Sequence, residues 1–188
     1  MTKYSWFILL LSGIIFFQGC SGENTAESLD PDKNKFFNVE EYFSGEIERL
    51  EEIEPPVTKT LRLNDKEEVL QPDTINFANE LSVFVNSGIN KVSWLDLYSA
   101  DTTRTDNGTL QQTRYEAQAD KLRTRLIDVT YENGKPSVIE IHNRTENIVL
   151  DATQQLIYRP GKEAIIKQEQ QIRFMEPNSL QIRIQFVQ

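Results

Sequence analysis

Two kinds of hydrophobic spacing divide the chain. Between residues 36 and 101, apolar side chains recur at steps of three and four, which is the spacing of one face of an α-helix. Between residues 114 and 188, apolar and polar side chains alternate, as they do in a strand with one buried face. The pattern predicts a mainly helical segment over residues 36–101 and an antiparallel β-meander over residues 114–188.

The first predicted helix has recognisable ends. Its apolar face consists of Phe36, Val39, Phe43, Ile47, Leu50 and Ile53. Asn38 is suited to cap its N-terminus, with Glu41 as the capping-box partner, and Phe37 is placed to pack onto Tyr42. Pro55–Pro56 should end the helix, because proline cannot continue it.

A second helix is predicted to begin at Asp73 and to end at Asn86–Gly88. Residues 57–64 can be either a short strand or an extended connector. The polar residues 102–113 are predicted to be a connector between the helical segment and the meander.

The meander is most regular near its turns and in its last strand. Asn133–Gly134 is a strong signal for a two-residue hairpin turn. Ala164, Ile166, Ile172 and Phe174 are assigned to one face of a strand, and Leu180, Ile182, Ile184 and Phe186 to one face of the last. We count five or six strands in total.

The apolar face of such a sheet must be covered, and the amphipathic helices are the available cover. We therefore expect the fold class α+β, with N-terminal amphipathic helices packed on a curled antiparallel β-meander of five or six strands. The expected single domain spans residues 36–188.

The first twenty residues have the parts of an export signal. Lys3 supplies positive charge, the apolar run 6–17 follows, and Gly19 is a small residue beside Cys20, the only cysteine. A membrane-spanning helix needs about 20 apolar residues, so this run is too short. We expect residues 1–19 to be a signal peptide.

The Gly19–Cys20 pair after the apolar run resembles the lipobox of bacterial lipoproteins. The resemblance implies that the sulfur of Cys20 is lipidated and that Cys20 becomes the first residue of the mature chain. Residues 20–35 would then be the lipidated cysteine and a disordered tether, since this stretch is almost wholly polar. A secretory signal followed by an unmodified cysteine is the alternative.

Composition and motifs exclude several classes of function. The chain has 29 acidic and 20 basic residues, a formal net charge of −9, whereas a nucleic-acid partner requires a basic face. With one cysteine and one histidine, His142, which alternation places on a polar strand face, no zinc-type metal site is expected. No dinucleotide fingerprint or G-x-S-x-G motif is present. We expect no cofactor and no enzymatic activity.

Four residues are candidate contacts for a ligand or partner. Trp94 and Tyr98 lie in an aromatic stretch between the helical segment and the meander, where packing is the favoured role and ligand contact the alternative. Gln168 and Gln170 interrupt an otherwise apolar strand face, which indicates a site that is partly accessible to water.

The order of segments in the chain resembles that of a group of small lipoproteins of Bacteroidota. The segments are a helix, the stretch ANELSVFVNSGINKVSW, and then LIDVTYENGKPSVIEI and QQLIYRPGKEAIIKQEQQIRF. The resemblance is one of general pattern, and it extends over nearly the whole mature chain. The resemblance implies a place in the bacterial cell envelope, in the outer membrane, with the domain facing the periplasm or the cell surface. It brings no known reaction and no functional residue.

These observations predict a non-enzymatic envelope lipoprotein that is anchored through Cys20 and binds an envelope protein. The alternative is a carrier of a lipid or another hydrophobic ligand, in a half-barrel closed by helices. The two differ in the space between helices and sheet, since a carrier needs an apolar cavity on the order of several hundred Å³ there.

Overall fold

The computed structural model describes residues 35–187. The expected signal peptide, Cys20 and the expected tether up to residue 34 lie outside the described residues. No helix within residues 35–187 is long and apolar enough to cross a membrane.

The described chain forms one nine-stranded antiparallel sheet and two α-helices. The helices are α1 (Val39–Ile53) and α2 (Phe77–Val85), and a 3-10 turn spans Val92–Trp94. The strands are β1 (Val57–Leu63), β2 (Lys66–Leu70), β3 (Tyr98–Arg104), β4 (Leu110–Ala117), β5 (Thr124–Glu132), β6 (Lys135–Glu146), β7 (Leu150–Arg159), β8 (Glu163–Ile172) and β9 (Asn178–Phe186).

The strand order is β2-β1-β9-β8-β7-β6-β5-β4-β3. Strands β3 to β9 form a continuous meander in which each strand pairs with the next. The β1–β2 hairpin, which precedes α2 in the chain, joins this meander because β1 pairs with β9. As a result, β2 and β3 are the two edge strands.

Helix α1 begins as the sequence predicts. The side-chain oxygen of Asn38 accepts a hydrogen bond from the backbone N–H of Glu41 at 3.2 Å, and the Glu41 carboxylate accepts one from the Asn38 amide at 2.9 Å. The rings of Phe37 and Tyr42 lie 5.4 Å apart, which confirms the predicted hydrophobic contact across the helix start. The helix ends at Ile53, before the two prolines.

Helix α2 begins four residues later than Asp73, so that predicted start is wrong. The helix starts at Phe77 because Asn76 is its cap, with a side-chain oxygen that accepts a hydrogen bond from the backbone N–H of Asn79 at 2.8 Å. Its end at Val85, with Asn86 as the C-terminal cap, agrees with the predicted stop.

The predicted fold class, α+β with N-terminal helices packed on a curled meander of five or six strands, is wrong. Residues 35–187 are mainly β, with nine strands and two α-helices of 15 and 9 residues. The edge strands β2 and β3 were not predicted, because nearly all their side chains are exposed and therefore show no apolar alternation. These strands form by backbone pairing with β1 and β4.

Phe174 also differs from its predicted place on a strand face. Strand β8 ends at Ile172, and Phe174 lies in the following turn with 92% of its surface exposed. By contrast, the predicted Asn133–Gly134 hairpin turn is confirmed between β5 and β6, where both residues have positive φ angles, 52° and 75°.

Both helices pack against one face of the sheet, which we call the inner face. The rings of Phe43 on α1 and Phe84 on α2 stack at 4.7 Å, and Phe43 meets Tyr158 of β7 edge-on at 5.1 Å. All three side chains are fully buried. Aromatic rings therefore fill the space between helices and sheet.

Candidate functional site

A row of amide side chains crosses the inner face where the helices no longer cover it. Asn143 of β6, Gln154 of β7 and Gln168 of β8 are direct cross-strand neighbours. Gln170 follows two residues after Gln168 and therefore lies on the same face. We call these four residues the amide row.

The members of the amide row are hydrogen-bonded in sequence, first across the sheet from β6 to β8 and then along β8. The Asn143 amide donates to Gln154 Oε1 at 3.1 Å, and the Gln154 amide donates to Gln168 Oε1 at 3.2 Å. The Gln168 amide then donates to Gln170 Oε1 at 3.2 Å. Each side chain is thus oriented by its neighbour, which gives the row a defined geometry on a rigid sheet.

The loop after α2 fixes one end of the row. The Asn143 amide also donates to the hydroxyl of the buried Ser87 at 2.9 Å, and that hydroxyl donates to the carbonyl of Val83 at 2.8 Å. Thr124 of β5 donates its hydroxyl hydrogen to the Ser87 carbonyl at 3.1 Å. The row therefore begins where the helical cover ends.

A cavity of about 190 Å³ opens beside the amide row. Its lining includes Arg123, whose guanidinium donates to Gln154 Oε1 at 3.4 Å and to the Asn86 carbonyl at 3.3 Å. Thr153 and Gln170 also line a neighbouring groove of about 380 Å³. Asp151 and Glu169, which line that groove, alternate with the amide row along β7 and β8, so the groove opens on the opposite face of the sheet. We call the cavity of about 190 Å³ on the inner face the trough.

One acceptor of the amide row has no hydrogen-bond partner among the described residues. Asn143 is buried, and its Oδ1 accepts no hydrogen bond from any described residue. A buried polar atom without a partner costs about 1–3 kcal/mol, and a donor reaches this oxygen only if the side chains around it move. Together with the hydrogen-bonded amides, it makes the trough a site for groups that both donate and accept hydrogen bonds.

The structure does not bring Trp94 and Tyr98 to the amide row. Tyr98 is buried at the start of the edge strand β3, where its hydroxyl donates to the Thr124 carbonyl at 2.8 Å and burial raises its pKa to about 12. Trp94 is half-buried, with the Lys91 ammonium 4.1 Å from its ring centre. Both residues have local packing partners, whereas Gln168 and Gln170 lie on β8, on the other side of the meander.

Asn143 and Gln154 were missed as site residues, although the sequence contained the signal. Asn143 follows the buried Ile141 by two residues, and Gln154 precedes the buried Leu156 by two. Alternation therefore places both amides on the apolar face, by the same reasoning that identified Gln168.

The opposite face of the same strands holds a smaller polar group. His142 Nε2 and Glu140 Oε1 are 2.6 Å apart, and the Gln155 amide donates to the same oxygen at 2.7 Å. Partial burial raises the pKa of Glu140, but these hydrogen bonds outweigh it and hold the pKa below its usual value. Among residues 35–187, no three His, Cys, Asp or Glu side chains are placed to hold a metal ion.

A larger groove, of about 630 Å³, lies at the opposite end of the sheet. Apolar residues such as Val57 and Phe77 line it together with the carboxylates of Glu51, Glu54 and Asp73. Three carboxylates make this groove a poor environment for a hydrocarbon chain, because charged groups lose hydration against apolar surface.

Comparison of the chain with protein-family models, with curated proteins and with solved structures found no match. The resemblance to lipoproteins of Bacteroidota therefore stays a prediction from the sequence.

Proposed function

We propose that this protein is a non-enzymatic lipoprotein of the bacterial cell envelope, held in the outer membrane by a lipidated Cys20, and that it binds a polypeptide partner along the amide row. The observation that carries the binding part is the oriented row of four amides beside an unpartnered buried acceptor. The anchoring part is supported by the apolar run and the Gly19–Cys20 pair in the sequence.

The dimensions of the trough favour a polypeptide segment over a small molecule. A cavity of about 190 Å³ is smaller than the ~300–1,000 Å³ typical of small-molecule pockets. The amide row beside it crosses three neighbouring strands, from β6 to β8, which is about 10 Å at the usual spacing of strands. An extended peptide offers both N–H donors and C=O acceptors along its length, which is the complement that an amide row requires.

The interior of the domain disfavours the carrier alternative. A lipid carrier would need its cavity between the helices and the sheet, where Phe43, Phe84 and Tyr158 are in mutual contact. Native mass spectrometry of the purified protein tests this: a bound lipid that survives purification would favour the carrier.

The anchor is tested by detergent phase partitioning of the protein from cell membranes. The wild-type chain should enter the detergent phase, and Cys20→Ala should not, because one or more acyl chains supply the membrane affinity. Intact-mass analysis of wild type should show the added lipid. An unmodified sulfur on a freely soluble product would overturn the anchoring proposal.

The binding site is tested by site-specific photo-crosslinking in native membranes. A photoreactive residue in place of Thr145, which lines the 190 Å³ cavity, should yield a defined crosslinked protein. The matched control is the exposed Gln185 on the outer face of β9, which should not. The double variant Gln154→Leu/Gln168→Leu should abolish the Thr145 product. Identical products from both positions, or a product that survives the double variant, would contradict the proposal.

A further inference from the structure

Two turns at one end of the sheet expose large apolar side chains. The turn between β6 and β7 carries Ile148, 84% exposed, and Val149, more than half exposed. The turn between β8 and β9 carries Phe174, 92% exposed, and Met175, more than half exposed. We call these four side chains the hairpin tip.

Hydrogen bonds brace both turns from within. Asn147 Oδ1 accepts from the backbone N–H groups of Val149 at 2.9 Å and Leu150 at 3.0 Å. In the other turn, the Gln171 amide donates to the carbonyls of Ile172 at 3.0 Å and Met175 at 2.8 Å.

The two turns are also bonded to each other. The backbone N–H of Arg173 donates to the carbonyl of Val149 at 2.8 Å. The hairpin tip is thus a single braced surface that holds its apolar side chains outward.

Phe174 has a backbone conformation that bulky residues rarely adopt, with a φ of 67°. Its ring lies 4.9 Å from the Arg173 guanidinium and is otherwise open to solvent. An exposed aromatic ring in a disfavoured conformation gains nothing from the core. Strain of this kind persists where it serves a function and the surrounding structure enforces it.

The chain enters the domain at the same end of the sheet. The Lys35 ammonium donates to the Leu95 carbonyl at 3.2 Å, shortly before β3 begins. In the antiparallel meander, the start of β3 lies at the same end as the two turns. Cys20 precedes Lys35 by 15 residues, which can span at most about 50 Å.

We propose that the hairpin tip inserts into the headgroup region of the bilayer that holds the Cys20 lipid. The choice of this bilayer rests on the anchoring part of the proposed function. The charges beside the turns are nearly balanced, because Arg144 pairs with Glu146 at 3.0 Å and with Asp151 at 3.2 Å, and Arg173 lies next to Phe174. Insertion should therefore depend on the apolar side chains and not on lipid charge. Four apolar side chains bind weakly alone, but a short tether raises their effective concentration at the membrane to about the millimolar range.

Insertion orients the sheet end-on, with the amide row near the membrane. Gln168 precedes Phe174 by six residues, about 20 Å along a strand at ~3.3 Å per residue. The polypeptide that the row binds would then be a segment close to the bilayer surface.

The test uses the mature lipidated protein in phosphatidylcholine vesicles whose acyl chains carry bromine, a fluorescence quencher. The variant Phe174→Trp places a reporter in the hairpin tip, and Lys162→Trp places one in the β7–β8 turn at the opposite end; both retain Trp94. We expect the Phe174→Trp emission to shift to the blue and to be quenched about threefold more than that of Lys162→Trp, as for an interfacial side chain. Equal quenching would overturn the insertion.

A second tether separates this proposal from the anchoring proposal. A chain from residue 20 with Cys20→Ala and an N-terminal hexahistidine tag, bound to a nickel-chelating lipid, places the domain on vesicles without native lipidation. Selective quenching of Phe174→Trp there supports insertion even if Cys20 proves unmodified in cells. Lost selectivity overturns insertion even if Cys20 is lipidated. The quenching of Phe174→Trp should be nearly the same in vesicles that contain phosphatidylglycerol. Quenching that requires the anionic lipid would contradict insertion through the apolar side chains.

Discussion

The inner face of the sheet has two halves of opposite chemistry, built by the same three strands. Under the helices, β6, β7 and β8 contribute Ile141, Leu156 and Ile166, all buried in the hydrophobic core. Two positions closer to the trough, each of these strands contributes an amide side chain instead: Asn143, Gln154 and Gln168 of the amide row. The change occurs at one cross-strand position in all three strands, beside the loop that ends α2.

The difference shows that the presence or absence of the covering helices, rather than the strand itself, determines whether apolar or polar side chains are favourable at a position. Helices α1 and α2 exclude water from the first half, so apolar groups gain free energy there. The second half is open to the trough. An apolar row there would stay in contact with water and gain no free energy from burial, whereas amides can hydrogen-bond to one another and to water. The five predictions that follow address this contrast, from the largest expected effect to the smallest.

Removing an aromatic ring from the covered half should cost the most stability. We expect Phe43→Ala to lower the free energy of unfolding by about 3–5 kcal/mol, because the buried ring leaves a cavity. Urea denaturation measures this loss. The matched control is Phe174→Ala in the exposed turn, which should change stability by no more than about 0.5 kcal/mol. Similar losses for both variants would contradict the assignment of the core.

The hydroxyl of Tyr158 connects the sheet to α1 and should have an intermediate effect. It donates to Glu46 Oε2 at 2.5 Å, so Tyr158→Phe should cost about 1–3 kcal/mol, the range for a hydrogen bond to a charged group. Tyr131→Phe, which removes a weaker 3.3 Å contact with Thr113, should cost less. The reverse order would show that the Tyr158–Glu46 bond does not stabilise the covered half.

The same tyrosine predicts a dependence on alkaline pH. Burial, together with the negative charge of Glu46, raises the pKa of Tyr158 above its usual 10.0. The folded state therefore favours the protonated hydroxyl, and this contribution is complete below pH 10 and lost as the pH rises beyond it. The free energy of unfolding, measured by urea denaturation at a series of pH values above 10, should fall more steeply with pH for wild type than for Tyr158→Phe. Equal slopes for the two proteins would exclude this linkage.

The uncovered half should tolerate the loss of its amides. Gln154→Leu/Gln168→Leu removes both partners of one hydrogen bond and should change the free energy of unfolding by no more than about 1 kcal/mol. The same variant should abolish crosslinking from Thr145, because the row would lose its polar contacts. A loss of stability as large as that of Phe43→Ala would make the amide row a structural element of the core.

On the outer face of the same strands, Glu140→Gln should have the smallest effect. The lowered pKa of Glu140 means that its charged form stabilises the fold above its usual pKa of 4.5, and that this contribution is lost as the pH falls through the lower folded value. Because the group is partly exposed, we expect less than about 1 kcal/mol. Acid unfolding of the variant should begin at nearly the same pH; a large shift would reveal a stronger network around His142.

The parts of the fold that sequence reasoning predicted are those encoded by neighbouring residues. The cap of α1 at Asn38, the Asn133–Gly134 turn and the alternation of β9 each depend on side chains a few positions apart. The start of α2 and the edge strands β2 and β3 were not predicted. Edge strands with exposed side chains have no alternating signal, and their formation depends on a partner strand.

The candidate site was predicted in part. Alternation placed Gln168 and Gln170 on the inner face, and the structure has them there with Asn143 and Gln154. Which residues of different strands become neighbours depends on the register of each pair, and a two-residue slip would separate them.

The sequence by itself determined the short-range features: the helix cap, the hairpin turn and the face on which each strand residue lies. Only the tertiary structure decided that the chain forms one nine-stranded sheet, that four amides align into a hydrogen-bonded row, and that two apolar turns meet at one end. The reason is physical. Local features follow from the geometry of consecutive residues, whereas these contacts follow from strand register and from where the helices stop covering the sheet.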